Sequence, residues 1–278
     1  QHAAEVIDEM RLVCRHQMVY SLRNTQRERI GAFMTAGFTG DELKALVDAI
    51  DRDLGDPALW STPDGYPASL ALCIVDSVFS IGVRYQGVVN LVNRYRRYRL
   101  DQSGNADADG GLELMGTFQH LGGPDGWAAK FDNHQRTSTK SGILKADAVL
   151  RETHALADHG VWSVGDLRKA GDEGRLTAIK SDWTRVPGQR SGISWSYFLM
   201  LARAVSDDGS GSGVKPDRMI KRYVASAIGT AESHLSEQKA ATLVKGAAKT
   251  KEYDVIALDH AIWRFESGRS TDDDTRES

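Results

Sequence analysis

The residues with the most chemical content lie between Arg185 and Gly229: a turn, RVPGQRSG, ahead of the apolar run ISWSYFLMLA, then a Gly/Ser-rich break, then GVKPDRMIKRYVASAIG. Pro187, Gly188 and Gly192 let a backbone between two helices bend tightly and present successive N–H groups at a helix start near Ile193. Such amides suit a phosphate oxygen. Arg185, Arg190 and Ser191 add donors in the same place, which makes Pro187, Gly188, Gln189, Arg190, Ser191 and Gly192 the candidate anion-binding residues. The same glycines also suit an ordinary corner between helices. Asp217 opens an apolar-periodic helix and is placed to cap it, its carboxylate accepting a backbone N–H.

A second positive feature is NRYRRYR, in which Arg94, Arg96, Arg97 and Arg99 interleave with Tyr95 and Tyr98. It is the densest basic run of the chain and suits a nucleic-acid backbone, or simply a solvated helix face. The acidic stretch DQSGNADADGG, residues 101–111, has no apolar period and reads as a loop or a disordered excursion; the spacing of an EF-hand, with its closing Glu, is missing. Cys14 and Cys73 stand far apart with no CxxC or Cys/His cluster, so no metal site and no disulfide framework is expected.

The elements that position these residues read as helices almost throughout. FTGDELKALVDAIDRDL, residues 38–54, carries a capping box, Thr39 with Glu42, flanked by Phe38 and Leu43 as a hydrophobic staple. Val6, Met10, Val13 and Met18 give helical periodicity within 2–35, and 69–99 reads as one or two long helices interrupted at Gly82. Further helical patterns cover 113–120, 125–133, 143–159, 163–170, 173–183 and 252–265, and period-two patterns are scarce. The expected fold is all-α: a helical extension over 1–60, a main body over 61–266 and an unstructured tail over 267–278.

With 278 residues, 41% hydrophobic and 26% charged, the chain has enough apolar material for a core. A net charge of -3 and a pI near 6.3 mean that affinity for a polyanion has to come from local clustering. No apolar run reaches the length of about 18 residues that a membrane span needs, and the start lacks the order of a signal peptide. A cytoplasmic protein is expected, without membrane attachment.

The order and spacing of these segments resemble the helix-hairpin-helix DNA glycosylase superfamily over roughly residues 66–266. Its hairpin has the form LPGVGxxTA, and its later helix opens with Asp, an Ile or Val three residues on and often an Arg five residues on. Asp217, Ile220 and Arg222 reproduce that spacing. VDSVFSIGVRYQGVVNLV, residues 75–92, looks like the family's early helix; SGILKADAVL, residues 141–150, is similar to its GxxxxKAxxI segment; LDHAIWRFESG resembles its closing helix.

The resemblance implies a fold, two helical subdomains flanking a DNA-binding cleft, and an activity: excision of a flipped base from double-stranded DNA by a monomer, with Asp217 as the catalytic carboxylate beside the sugar and the hairpin gripping a phosphate. It aligns Ile81 and Gly82 with the wedge that enters the emptied stack, places Tyr85, Trp195 and Ser196 as base-pocket candidates beside Tyr197 and Trp60, and leaves Arg94 and Arg97 for the DNA backbone. No cofactor is implied beyond a monovalent cation at the hairpin. Members that also cut the strand carry a Schiff-base Lys where Gly192 stands, so base removal without strand scission is expected. Gly192 further suggests room for an alkylated or bulky hypermodified base, which would fit repair or defence. Arg190 replaces the second hairpin glycine, and the four-cysteine cluster loop of one branch is absent. A helix-hairpin-helix protein that binds DNA or senses lesions without cleaving stays open, as does a helical protein-interaction domain.

Overall fold

Helix signals dominate the sequence, and a computed structural model, which describes residues 37–62, 64–204 and 213–268, is built from twelve α-helices with no strand among those residues. The capping box forms: the Glu42 N–H donates to Thr39 Oγ1 at 3.2 Å and the Thr39 N–H to Glu42 Oε2 at 2.8 Å. Helix α1 (Gly40–Asp53) follows and buries Leu43, Leu46, Ala49 and Ile50. Ser69 caps α2 (Leu70–Phe79), which is buried at every position and so carries no polar stripe. Gly82, at φ 72°, makes the break before α3 (Tyr85–Asp101).

Residues 101–111 are ordered, contrary to the expectation of a loose excursion. Asp109 is buried and accepts from the Tyr95 hydroxyl at 3.1 Å and from the Arg99 guanidinium at 2.6 and 3.1 Å. The acidic residues of the segment therefore neutralise part of the basic run on α3.

Then come α4 (Gly111–His120), α5 (Pro124–Lys130), α6 (Lys145–Asp158), α7 (Val164–Asp172), α8 (Leu176–Trp183) and α9 (Ile193–Leu201). The last three helices are α10 (Arg218–Ala227), α11 (Glu237–Lys251) and α12 (Val255–Ser267). Helix α11 was not expected. Its buried face is mostly alanine, Ala240, Ala241, Ala247 and Ala248 around Leu243 and Val244, so the apolar stripe is thin. Helix α12 starts three residues later than expected and runs on to Ser267, inside the stretch read as tail.

Buried apolar side chains fall into two clusters. The central core runs from Leu70 to Ala204 around α2, which packs on α6 and α9. The terminal core joins Phe38–Ile50 to side chains between Val214 and Ile262. The helix at 40–53, expected in an N-terminal extension, thus shares a core with α10 and α11, because its apolar face needs a partner. Gly246 on α11 permits the approach: a Cβ there would stand 3.0 Å from the Phe38 ring. A Lys239–Glu42 ion pair at 2.7 Å lies at the same contact. The expected helices within 2–35, and the tail beyond 268, lie outside the described residues.

Candidate functional site

Helices α8 and α9 form the hairpin, joined by residues 184–192. Gly188 (φ 92°) and Gly192 (φ 72°) both take left-handed backbone. Within the turn the N–H of Gln189 donates to the Val186 carbonyl and that of Gly192 to the Gln189 carbonyl, each at 3.0 Å. The amides of Gly188, Arg190 and Ser191 make no hydrogen bond among the described residues. Gly192 is the N-cap of α9 and offers no side-chain cap. The result is a cluster of unsatisfied donors at a helix N-terminus, which favours an anion. Gln189 serves the turn internally. It is buried, and its Oε1 accepts from the Ser194 hydroxyl, which itself accepts from Trp183 Nε1 at 2.9 Å. That chain of bonds holds the turn against its own helices.

Asp217 is the N-cap of α10. Its Oδ1 accepts the N–H groups of Met219 at 2.8 Å and Ile220 at 3.3 Å, while Oδ2 has no partner among the described residues. The carboxylate lines a cavity of 1030 Å³ between the two cores. One wall of the cavity is the turn from Ser80 to Arg84 with Tyr85; another is Ile193, Tyr197 and Met200 of α9. The remaining sides come from Lys215 to Arg222 and from Asp259, His260, Trp263 and Glu266 of α12.

In and behind the wall there is more charge chemistry than Asp217 alone. Asp76, fully buried, accepts from the Ser80 hydroxyl at 2.6 Å, Tyr66 at 2.9 Å and Tyr85 at 3.2 Å. Burial lifts its carboxyl above the usual carboxylate range despite these donors. The Tyr197 phenol is pushed well up, first by burial and then by the Asp76 charge. Lys215 holds its ammonium 3.9 Å from the centre of the Tyr197 ring, a cation–π contact. Asp259 is buried; its Oδ1 accepts the Lys215 N–H at 2.9 Å. Burial and the neighbouring Asp217 raise the Asp259 carboxyl well above its usual value against the Lys215 amide bond, which lowers it. His260 and Trp263 stack nearly parallel, 5.8 Å apart at 9°, and the exposed Arg84 and Arg218 sit at the cavity.

The turn at Ser80–Gly82 is held from below. Lys145, buried at the start of α6, donates to the carbonyls of Phe79 at 2.9 Å and Ile81 at 2.8 Å. Burial lowers its ammonium to about 8.

Among the residues singled out from sequence, Asp217, Ile81, Gly82, Tyr85 and Tyr197 come together at this cavity. Others do not. Trp195 is buried against Trp183 and Phe198, and Ser196 is buried beside it; the cavity-facing stripe of α9 is 193, 197 and 200, so both project elsewhere. Trp60 binds the Leu54 carbonyl and packs on Tyr253 in the terminal core. A Cβ on Gly192 would face Lys180 at 3.5 Å and Thr184 at 3.9 Å, so its missing side chain adds no room to the cavity. Arg96 and Arg99 pair with Asp107 and Asp109. Arg94 and Arg97 are exposed but lie about 180° and about 120° around α3 from Tyr85, away from the cavity. Reasoning from sequence missed Asp76, Lys215, Asp259, His260 and Trp263. The one available signal was a polar residue inside an otherwise apolar run, as in CIVDSVF and ALDHAIW.

Among the described residues no helix is long and apolar enough to cross a membrane, and no group of three or more His, Cys, Asp or Glu is arranged to hold a metal ion. The sequence matches the family described as a domain of unknown function (DUF8548) over residues 44–267. No curated protein and no solved structure matches the chain.

Proposed function

The chain belongs to the DUF8548 family, and we propose that it is a monofunctional DNA N-glycosylase, which takes a damaged or modified base out of double-stranded DNA, hydrolyses the N-glycosidic bond and leaves an abasic site. The observation that carries this reading is Asp217. One of its carboxylate oxygens is fixed by two backbone amides and the other has no partner among the described residues, inside a cavity that also receives the first helical residue after the hairpin.

Departure of a base leaves positive character on the deoxyribose. A carboxylate held in place by amides stabilises that charge without having to reorganise during the reaction. Water then adds to the anomeric carbon, oriented or deprotonated by the same group. The nucleotide has to leave the stack first. Support for that step comes from the free amides of Gly188, Arg190 and Ser191 as phosphate donors, from Arg84 and Arg218 at the cavity, and from Ile81 and Gly82 on a turn that Lys145 holds rigid. Gly192 stands where strand-cutting relatives carry a Schiff-base Lys, which agrees with base removal without strand scission. A cavity of 1030 Å³ is at the upper end for small-molecule sites, so the proposed substrates are alkylated or bulky modified bases. We place the enzyme in the cytoplasm as a monomer acting on DNA.

Asp217→Asn is the decisive variant. Asn is as good an N-cap as Asp, so the helix start survives while the charge is removed. Base release, followed by mass spectrometry of free bases from damaged and modified DNA, should fall by about 100-fold or more, with DNA binding retained. Unchanged release would refute the role given to Asp217; binding by a wild-type protein that releases no base would make it a non-catalytic lesion binder.

A further inference from the structure

We propose that Asp259 is the acid that protonates the departing base, working with Asp217 in the same cavity. This rests on the glycosylase reading and adds to it a second reacting group. Asp259 lies on α12, is only 4% exposed, and yet forms part of the cavity wall. Its Oδ1 anchors the Lys215 N–H, so it is tied to the loop that delivers Asp217 two residues later.

The surroundings of the two carboxyl groups differ in kind. Asp217 caps a helix and faces the cavity half-buried. Asp259 is enclosed, and burial together with the Asp217 charge favours its protonated form. The other charged or titratable groups around it are Lys215 from the same loop, Arg218 and Arg222 of α10, with Arg222 paired to Glu266, His260 next in sequence, bonded through Nδ1 to the Ser61 carbonyl, and Asp76 with Tyr85 and Tyr197 on the central-core side. An enclosed carboxyl group beside a second one that caps a helix and faces the cavity divides the work into a proton donor and a charge stabiliser.

In the step itself the C1′–N bond breaks and its electron pair goes to the base. The Asp259 carboxyl proton passes to an acceptor atom of that base, which leaves neutral. Water oxygen bonds to C1′, and its surplus proton reaches solvent by way of Asp217. Asp259 takes a proton back from solvent, so one water is consumed and one abasic site and one free base are formed.

A proton donor matters only for a base that is not already cationic. The experiment therefore measures free bases released from two duplex pools by wild type, Asp217→Asn and Asp259→Asn. One pool is methylated and carries 7-methylguanine, which departs as a neutral molecule without help; the other is deaminated and carries hypoxanthine and xanthine, which need protonation. Asn at 259 keeps the acceptor for the Lys215 N–H, so the loop stays anchored. Asp259→Asn should raise the ratio of cationic to neutral base release by about 100-fold, and should remove the alkaline decline of neutral-base release expected of the wild type. An unchanged ratio means a merely structural Asp259 and overturns the proposal, as does a wild type active on cationic bases alone. Release of no base by wild type from either pool, or full activity in Asp217→Asn, instead sinks the glycosylase reading.

Discussion

Two carboxyl groups are enclosed in the central core under opposite conditions. Asp76, beside the cavity, receives three hydroxyl donors. Glu152, on α6, is fully buried, and neither of its oxygens has a hydrogen-bond partner among the described residues. Burial raises both, the Glu152 carboxyl up to about 10. A buried polar group with no partner is a net cost, whereas one that organises several neighbours is part of the structure. The difference separates polar residues that shape the cavity from one that the fold merely tolerates, and it can be broken from either side.

The largest effect is expected at Asp76. Asp76→Ala orphans the hydroxyls of Tyr66, Tyr85 and Ser80 together and opens a void between α2 and α3, so stability should fall by about 3 kcal/mol or more in urea unfolding. Base release should fall with it, because Tyr85 and Ser80 line the cavity. A change in stability below about 1 kcal/mol would show that the three hydroxyls find other partners.

Glu152→Met goes the other way. Replacing a buried carboxyl with no partner by an apolar side chain of similar length should stabilise by about 2 kcal/mol at neutral pH. The pH dependence has a definite sign. The folded-state value is raised above the ordinary 4.5 to about 10, so between these limits the unfolded chain loses a proton that the folded one keeps. Stability is fully present below the lower value and declines as pH rises, by up to about 1.4 kcal/mol per pH unit from this group. Denaturation midpoints at mildly acidic and mildly alkaline pH should therefore separate in the wild type and draw together in Glu152→Met. Equal separation in both proteins would mean that Glu152 has found a partner.

Legibility in the sequence follows the same division. Helix ends could be read wherever a cap is local: Thr39 with Glu42, and Asp217 with the amides two and three residues on. The polar side of the cavity could not, since Lys215 and Asp259 of the wall, and Asp76 behind Ser80 and Tyr85, come together only after two cores have packed. Nor could the choice among aromatics on α9. ISWSYFLML is apolar around its whole circumference, so no periodicity tells that Tyr197 faces the cavity and Trp195 the hairpin. The inference drawn from Gly192 failed for a related reason: the family resemblance implies a place beside the anomeric carbon, whereas a left-handed φ turns its open side toward Lys180 and Thr184. Helix α11 escaped notice because alanine gives little contrast between faces.

Lys145 offers the smallest stability effect and the cleanest separation of fold from activity. Its ammonium is buried like Glu152 but partnered like Asp76, by the carbonyls of Phe79 and Ile81. In Lys145→Met the apolar stem is kept and two charge-assisted bonds are lost, while the penalty of burying the ammonium disappears. These opposing terms should leave stability within about 1 kcal/mol of wild type. With the folded value lowered from 10.5 to about 8, the unfolded chain binds more protons in that window, so this group makes stability rise with pH there, the reverse of Glu152. The variant should lose that rise. Base release should nonetheless drop, because the Ser80–Gly82 turn is no longer tied to α6. A variant with unaltered release would show that the turn holds its shape without this anchor.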